Sequence, residues 1–211
     1  MTRTSRDPEP IRSGPPPSVA AVLLAPGAGA DASSEALVTL ADTVATTGVA
    51  VERMDFPYRT AGKRRPDPPA VLEASVRDRA GALADRLGVG AEQLVLGGRS
   101  MGGRICSQVV AAGLRSAGLV LVSYPLHPPG RPEKLRASHF PDLAVPCLFV
   151  SGTRDAYGTP AELEEATAVI PGPVTHTWLE DGDHGLRRQG ARAAEVVTEW
   201  LATTFTLPGA D

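Results

Sequence analysis

Gly98-Arg99-Ser100-Met101-Gly102 sets one hydroxyl between two glycines, directly after the apolar run Leu94-Val95-Leu96. Glycines on both sides suit a turn too sharp for side chains, one that lifts the serine clear of the backbone. Such a hydroxyl becomes a nucleophile when a base takes its proton, and the base needs an acid to orient it. His184, in LEDGDHGL, lies between the last apolar run and the last helical pattern and is the expected base. His127 (YPLHPPG) and His139 (ASHFPD) stand in reserve in a proline-rich segment, and His176 falls inside a strand pattern, where packing is its reading. Asp155, in SGTRDAYG, is the expected acid. Asp181 and Asp183 are rivals, but a near neighbour cannot easily reach round to the far ring nitrogen of His184. Two backbone N–H groups would hold the oxyanion of an acyl-transfer intermediate: that of Met101, and that of Ala28 in Pro26-Gly27-Ala28-Gly29, with Gly29 the next choice.

These groups need a frame. Apolar runs at 19–25, 49–55, 93–98, 118–124, 146–152 and 174–180 read as strands, each followed by a loop or a helical pattern. Leu37, Leu40, Ala41 and Val44 share one helical face, as do Leu72, Val76, Ala80, Leu83 and Leu87 in a helix opened by Asp67 and two prolines and closed by Gly88. Further helices are expected after Met101, near 160–170 and over 189–204. The alternation predicts an α/β fold: βαβ units, about six strands in a mostly parallel sheet, and helices on both faces. Ligands of such sheets gather at the carboxyl ends of the strands, where Ser100, Asp155 and His184 all fall. Residues 1–17, polar and proline-rich, read as a disordered tail, and residues 18–207 as one domain.

Composition narrows the function. A net charge of −3 over 211 residues gives no electrostatic footprint for nucleic acid or an anionic membrane. No stretch is long enough to span a bilayer. Cys106 and Cys147, the only two cysteines, form neither a thiolate metal cage nor a disulfide framework, so no metal is expected and a reducing cytoplasm is. Arg3, Arg6 and Arg12 before VAAVLLA imitate a secretory signal, but the apolar run is short and cleavage would remove an expected central strand. One competing pattern exists. Gly27-x-Gly29-x-x-Ala32, with Glu52 or Asp55 downstream as the ribose acid, fits a dinucleotide-binding loop but leaves Ser100, Asp155 and His184 without a task.

The segments LAPGAGAD, FPYRTAGKRRPDPP, GGRSMGGR, YPLHPPGRPEKLR, FVSGTRDAYGTPAEL and DGDHGL together resemble a small α/β-hydrolase of the dienelactone-hydrolase-like branch. More closely they resemble bacterial proteins sharing a domain with a mammalian testis-expressed protein and with a subunit of a nuclear acetyltransferase complex. The chain order serine, aspartate, histidine is also that of the α/β-hydrolases. The resemblance implies an α/β-hydrolase fold without a lid domain, a Ser100–Asp155–His184 set and no cofactor. Dienelactone hydrolase proper uses a cysteine where Ser100 stands, so that activity is not implied. The eukaryotic relatives imply a second class of function, a catalytically silent protein-interaction module.

The expected substrate is a small carboxylic ester or thioester. Phe56, Tyr58, Arg99 and Tyr124 are the candidates for contacting it. Lys63, Arg64 and Arg65 after the second strand, and Arg131, Lys134 and Arg136 after the fourth, would form a basic rim beside Arg99 and Arg104. Such a rim suits an anionic acyl group or a phosphorylated thioester carrier. A merely solvated face is the plainer reading of the same charges.

Overall fold

A computed structural model describes residues 18–209. The tail expected over residues 1–17 lies outside the described residues. Six strands, β1 (Ala21–Ala25), β2 (Ala50–Arg53), β3 (Leu94–Arg99), β4 (Gly118–Val122), β5 (Cys147–Gly152) and β6 (Val174–Leu179), form one sheet. All its pairings are parallel, in the order β2-β1-β3-β4-β5-β6. The chain leaves β1 toward one edge and returns on its other side as β3, so the sheet changes winding direction between them. Crevices at such a switch point, outside the carboxyl ends of the strands, are where open α/β sheets bind ligands.

Period-two alternation divides the core. Leu23, Leu96, Leu121 and Phe149 face α3 (Pro69–Leu87) and α4 (Met101–Ala111), where Leu72, Val76, Leu83, Ile105 and Val109 meet them. Leu24, Val95, Val120 and Val150 face the opposite layer. That layer is α1 (Glu35–Ala45) and α6 (Gly190–Thr204), contributing Leu37, Val44, Val197 and Leu201. With both faces covered, β1, β3, β4 and β5 are almost wholly buried, whereas the edge strands β2 and β6 are half-exposed and less apolar.

Two shorter helices complete the chain. One is α2 (Pro57–Thr60), and the other is α5 (Pro160–Thr167), whose N-terminus carries a reciprocal Thr159–Glu162 capping box. The structure departs from the sequence pattern in two places. The α2 turn had no periodic signal because it is only four residues long. Leu87 is exposed, because α3 stops there and Gly88 turns the chain with φ +68. Among the described residues no helix is long and apolar enough to cross a membrane.

Candidate active site

Ser100 joins β3 to α4 with φ 51 and ψ −118, a region sparsely occupied by residues with a Cβ. The turn is locked on both sides: the Ser100 N–H donates to the Val122 carbonyl (2.8 Å), and the Ser100 carbonyl accepts from the Arg104 N–H (3.1 Å). Glycine is obligatory around it for two separate reasons. Gly98 takes φ +143, and a Cβ on either Gly98 or Gly102 would fall on the Ala25 carbonyl of β1. The turn that carries the serine is therefore wedged against β1.

Ser100 Oγ lies 2.9 Å from His184 Nε2. His184 Nδ1 in turn lies 2.8 Å from Asp155 Oδ2 and 3.0 Å from Oδ1. Asp155 is only 2% exposed. The two loops that carry Asp155 and His184 are tied together at their roots. Arg154 N–H donates to the Gly182 carbonyl (2.8 Å), and Asp181 N–H donates to Thr153 Oγ1 (2.9 Å). Gly152 and Gly182 touch so closely that a Cβ on Gly152 would strike the Gly182 carbonyl.

The other candidates are engaged elsewhere. Asp181 is ion-paired with Arg154, and Asp183 accepts from the Leu186 N–H (2.9 Å), closing the turn that follows His184. His127 is buried, with Nδ1 2.9 Å from the Pro128 carbonyl and Nε2 3.5 Å from Glu162. His139 Nε2 sits 2.8 Å from Ser107 Oγ, and burial, aided by the Arg104 charge, pushes its pKa down to about 4. His176 Nε2 lies 2.9 Å from Thr167 Oγ1, and its ring stacks on Trp178. Burial raises the pKa of both Cys106 and Cys147 to about 12, which leaves two packed, protonated thiols.

The expected oxyanion donors lie at the start of α4 and in the β1–α1 loop. Met101 is the first residue of α4, so its N–H is one of the groups without an intrahelical partner. In the β1–α1 loop, the Ala30 N–H donates to the Gly27 carbonyl (3.1 Å). That bond orients the Gly27–Ala28 peptide and turns the Ala28 N–H away from it. The next peptide is oriented too, because the Tyr58 hydroxyl donates to the Ala28 carbonyl (2.7 Å).

The four expected substrate contacts are each packed or bonded within the chain. Phe56 and Tyr58 are fully buried and Tyr124 is 1% exposed, so they present no open surface. They pack the core, and their polar tips are spent on backbone: Tyr58 on Ala28, Tyr124 on the Arg136 carbonyl (2.6 Å). Arg99 points into the loop that carries His184 and donates to the carbonyls of His184 (2.7 Å) and Gly185 (2.9 Å). Burial lowers its pKa against the upward pull of Asp155 and Asp183. The dinucleotide reading also loses its acids: Asp55 accepts from the Ala32 N–H (2.7 Å), and Glu52 is ion-paired with Arg79 and Arg86.

Lys63, Arg64, Arg65, Arg131 and Lys134 are exposed on loops at the carboxyl end of the sheet, while Arg104 and Arg136 are half-buried. Among the described residues no group of three or more His, Cys, Asp or Glu side chains is placed to hold a metal. One residue absent from the sequence expectations stands at the centre. Tyr157 stacks on His184, with ring centroids 4.0 Å apart and planes at 29°. An aromatic residue two positions after the expected acid was the only available signal.

The family described as Alpha/beta hydrolase domain matches residues 18–205. Solved structures with the same fold include an alpha-beta serine hydrolase homologue from Coxiella burnetii (TM-score 0.72, 18% identity, covering 88% of this chain and 86% of that one). A dienelactone hydrolase from Anabaena variabilis is similar to the same degree (TM-score 0.72, 18% identity, 91% and 89% covered). So is Est1E from Butyrivibrio proteoclasticus, solved with ferulic acid bound (TM-score 0.74, 14% identity, 89% and 90% covered).

Proposed function

The chain belongs to the alpha/beta hydrolase domain family, and from that premise we propose that it is a serine hydrolase of small carboxylic esters or thioesters, working through an acyl-enzyme on Ser100. One observation carries the reading. The Ser100 hydroxyl, the His184 imidazole and the buried Asp155 carboxylate stand in line at 2.9 and 2.8 Å, at the sheet's switch point.

Ser100 Oγ attacks the carbonyl carbon while its proton passes to His184 Nε2. Asp155 holds the Nδ1 proton and stabilises the imidazolium that forms. The carbonyl oxygen, now negative, is held by the N–H groups of Ala28 and Met101, helped by the positive end of α4. Collapse expels the alcohol or thiol, which takes the proton from His184. Water then attacks the acyl carbon while giving a proton to the same nitrogen; the bond to Ser100 Oγ breaks, the acid leaves, and Oγ takes the proton back from His184. The nucleophile, the base, its orienting acid and the oxyanion donors in these steps are all residues of this chain. The finer likeness to bacterial relatives of the testis-expressed protein, and a cytoplasmic setting, belong to the same proposal.

A silent interaction module is the competing reading. It gives no reason to keep a serine at φ 51, a backbone state that costs roughly 1–3 kcal/mol.

The test is rapid mixing with an activated acetyl ester. A burst of leaving group equal to the enzyme, with acetate found on Ser100, is expected. A folded enzyme that turns over without modification of Ser100 would defeat the reading. Acyl-CoA thioesters and uncharged thioesters of the same acyl group then define the substrate class.

A further inference from the structure

We propose that Tyr157 is a positioning residue for His184, fixing the imidazole between Ser100 and Asp155 with the face of its ring. The inference rests on the roles proposed above for Ser100 and His184. Tyr157 touches both partners of the expected charge pair. Its ring covers one face of the imidazole at 4.0 Å, and its N–H donates to Asp155 Oδ1 at 2.8 Å.

The backbone under that ring is pinned. The Tyr157 carbonyl accepts from the His127 N–H at 3.0 Å, and Gly158 packs on Leu126. His127 is itself buried and reaches Glu162, which caps α5. A chain of contacts therefore runs from α5 through the segment after β4 to the backbone of Tyr157. It gives the proline-rich stretch around His127 a task that its histidine does not perform directly. Tyr157 meets the site through its ring and its N–H.

An imidazole held only by in-plane hydrogen bonds at its two nitrogens can still rock about its Cβ–Cγ bond, whose torsional wells are broad. A stacked ring removes that freedom. It also presents the negative face of its quadrupole to the imidazolium formed when His184 takes the serine proton. A leucine would fill similar space without that face, whereas a phenylalanine would keep it.

The test compares Tyr157→Phe, Tyr157→Leu and Tyr157→Met with the wild type, measuring kcat and KM for one activated ester, the Tm, and the proton NMR shifts of the His184 ring. The phenylalanine variant is expected to keep kcat within about twofold and to retain the upfield ring-current displacement of the imidazole protons. The leucine and methionine variants are expected to lose that displacement. They should lose about 3- to 30-fold in kcat at unchanged KM, the span of a cation–π contact from exposed to desolvated. Two apolar variants are included so that one folded protein remains if the other fails. Full kcat in either folded apolar variant, or a phenylalanine variant as slow as leucine, would overturn the proposal. Failure of Ser100 to become acylated in the wild type would instead overturn the functional reading, and the ring-current signal would still report whether the two rings stack.

Discussion

The Arg99 guanidinium donates to the backbone carbonyl of His184 at 2.7 Å, so the residue before Ser100 holds the loop that carries His184. A second bond, to the Gly185 carbonyl at 2.9 Å, fixes two successive peptides of that loop. Arg99→Met keeps the aliphatic stem and loses both bonds. Hydrogen bonds from a charged donor contribute about 1.5–3 kcal/mol each when buried, and Arg99 is only partly so; a loss of about 2 kcal/mol is expected. Activity should fall more than stability suggests, by up to about 10²-fold, because a base displaced by an ångström no longer meets the hydroxyl. Denaturation and turnover, measured side by side, check this. A variant with full activity would show that the loop holds its place without Arg99.

Asp155→Asn should leave the fold intact and lower kcat by as much as about 10⁴-fold, because an amide no longer enforces the imidazole tautomer with its proton on Nδ1. The Tyr157 N–H can still donate to the remaining carbonyl oxygen, so the loop is expected to stay in place. A nearly unchanged kcat would move the acid's role elsewhere, and Asp183→Asn would be the next variant to measure.

Strain at the elbow makes a prediction about stability that runs against activity. Glycine accepts φ 51 at ψ −118 freely, whereas serine and alanine do not. Ser100→Gly should therefore be more stable than Ser100→Ala by about 1 kcal/mol, even after the entropy cost of glycine in the unfolded chain. Both should be inactive. In the opposite direction, Gly102→Ala would push a Cβ onto the Ala25 carbonyl and is expected to cost about 3 kcal/mol or more. Urea denaturation of the three variants decides the order. Ser100→Ala matching Ser100→Gly would mean that the turn stores no strain.

His139 supplies a pH dependence of stability. Its folded pKa is held near 4 by burial, below the ordinary 6.5, so between these values the unfolded chain binds a proton that the folded chain refuses. Stability from this group is complete above pH 6.5 and is lost as pH falls toward 4. Burial also lowers the pKa of His176, which acts in the same direction. His139→Gln should lose less stability than the wild type between pH 7.5 and 5, as measured by denaturant midpoints. Equal losses in the two proteins would show that His139 takes its proton without hindrance.

Much of this arrangement was legible in the residues, for reasons that differ from element to element. The four inner strands could be read because helices cover both faces and leave unbroken apolar runs. Ser100, Asp155 and His184 could be located because the fold class puts reactive groups at strand ends, and the structure brings their side chains within hydrogen-bond distance. Three long-range contacts could not be read from the residues, for one reason. Tyr58 is spent on Ala28, 30 residues away, and Tyr124 on Arg136, 12 residues away. Arg99 reaches His184 across 85 residues. A polar tip satisfied by a distant backbone carbonyl looks, in sequence, the same as one free to meet a substrate. Tyr157 escaped notice for a complementary reason: its contacts with His184 and Asp155 are a ring face and a backbone N–H, which no spacing rule announces.

The most direct measurement of the central claim is reaction of the folded protein with a fluorophosphonate, read by intact mass and peptide mapping. The account predicts one phosphonyl group per chain, on Ser100, with labelling abolished in Ser100→Ala and slowed by orders of magnitude in His184→Ala. A folded wild type that stays unlabelled, or that carries the label on any other residue, would contradict it.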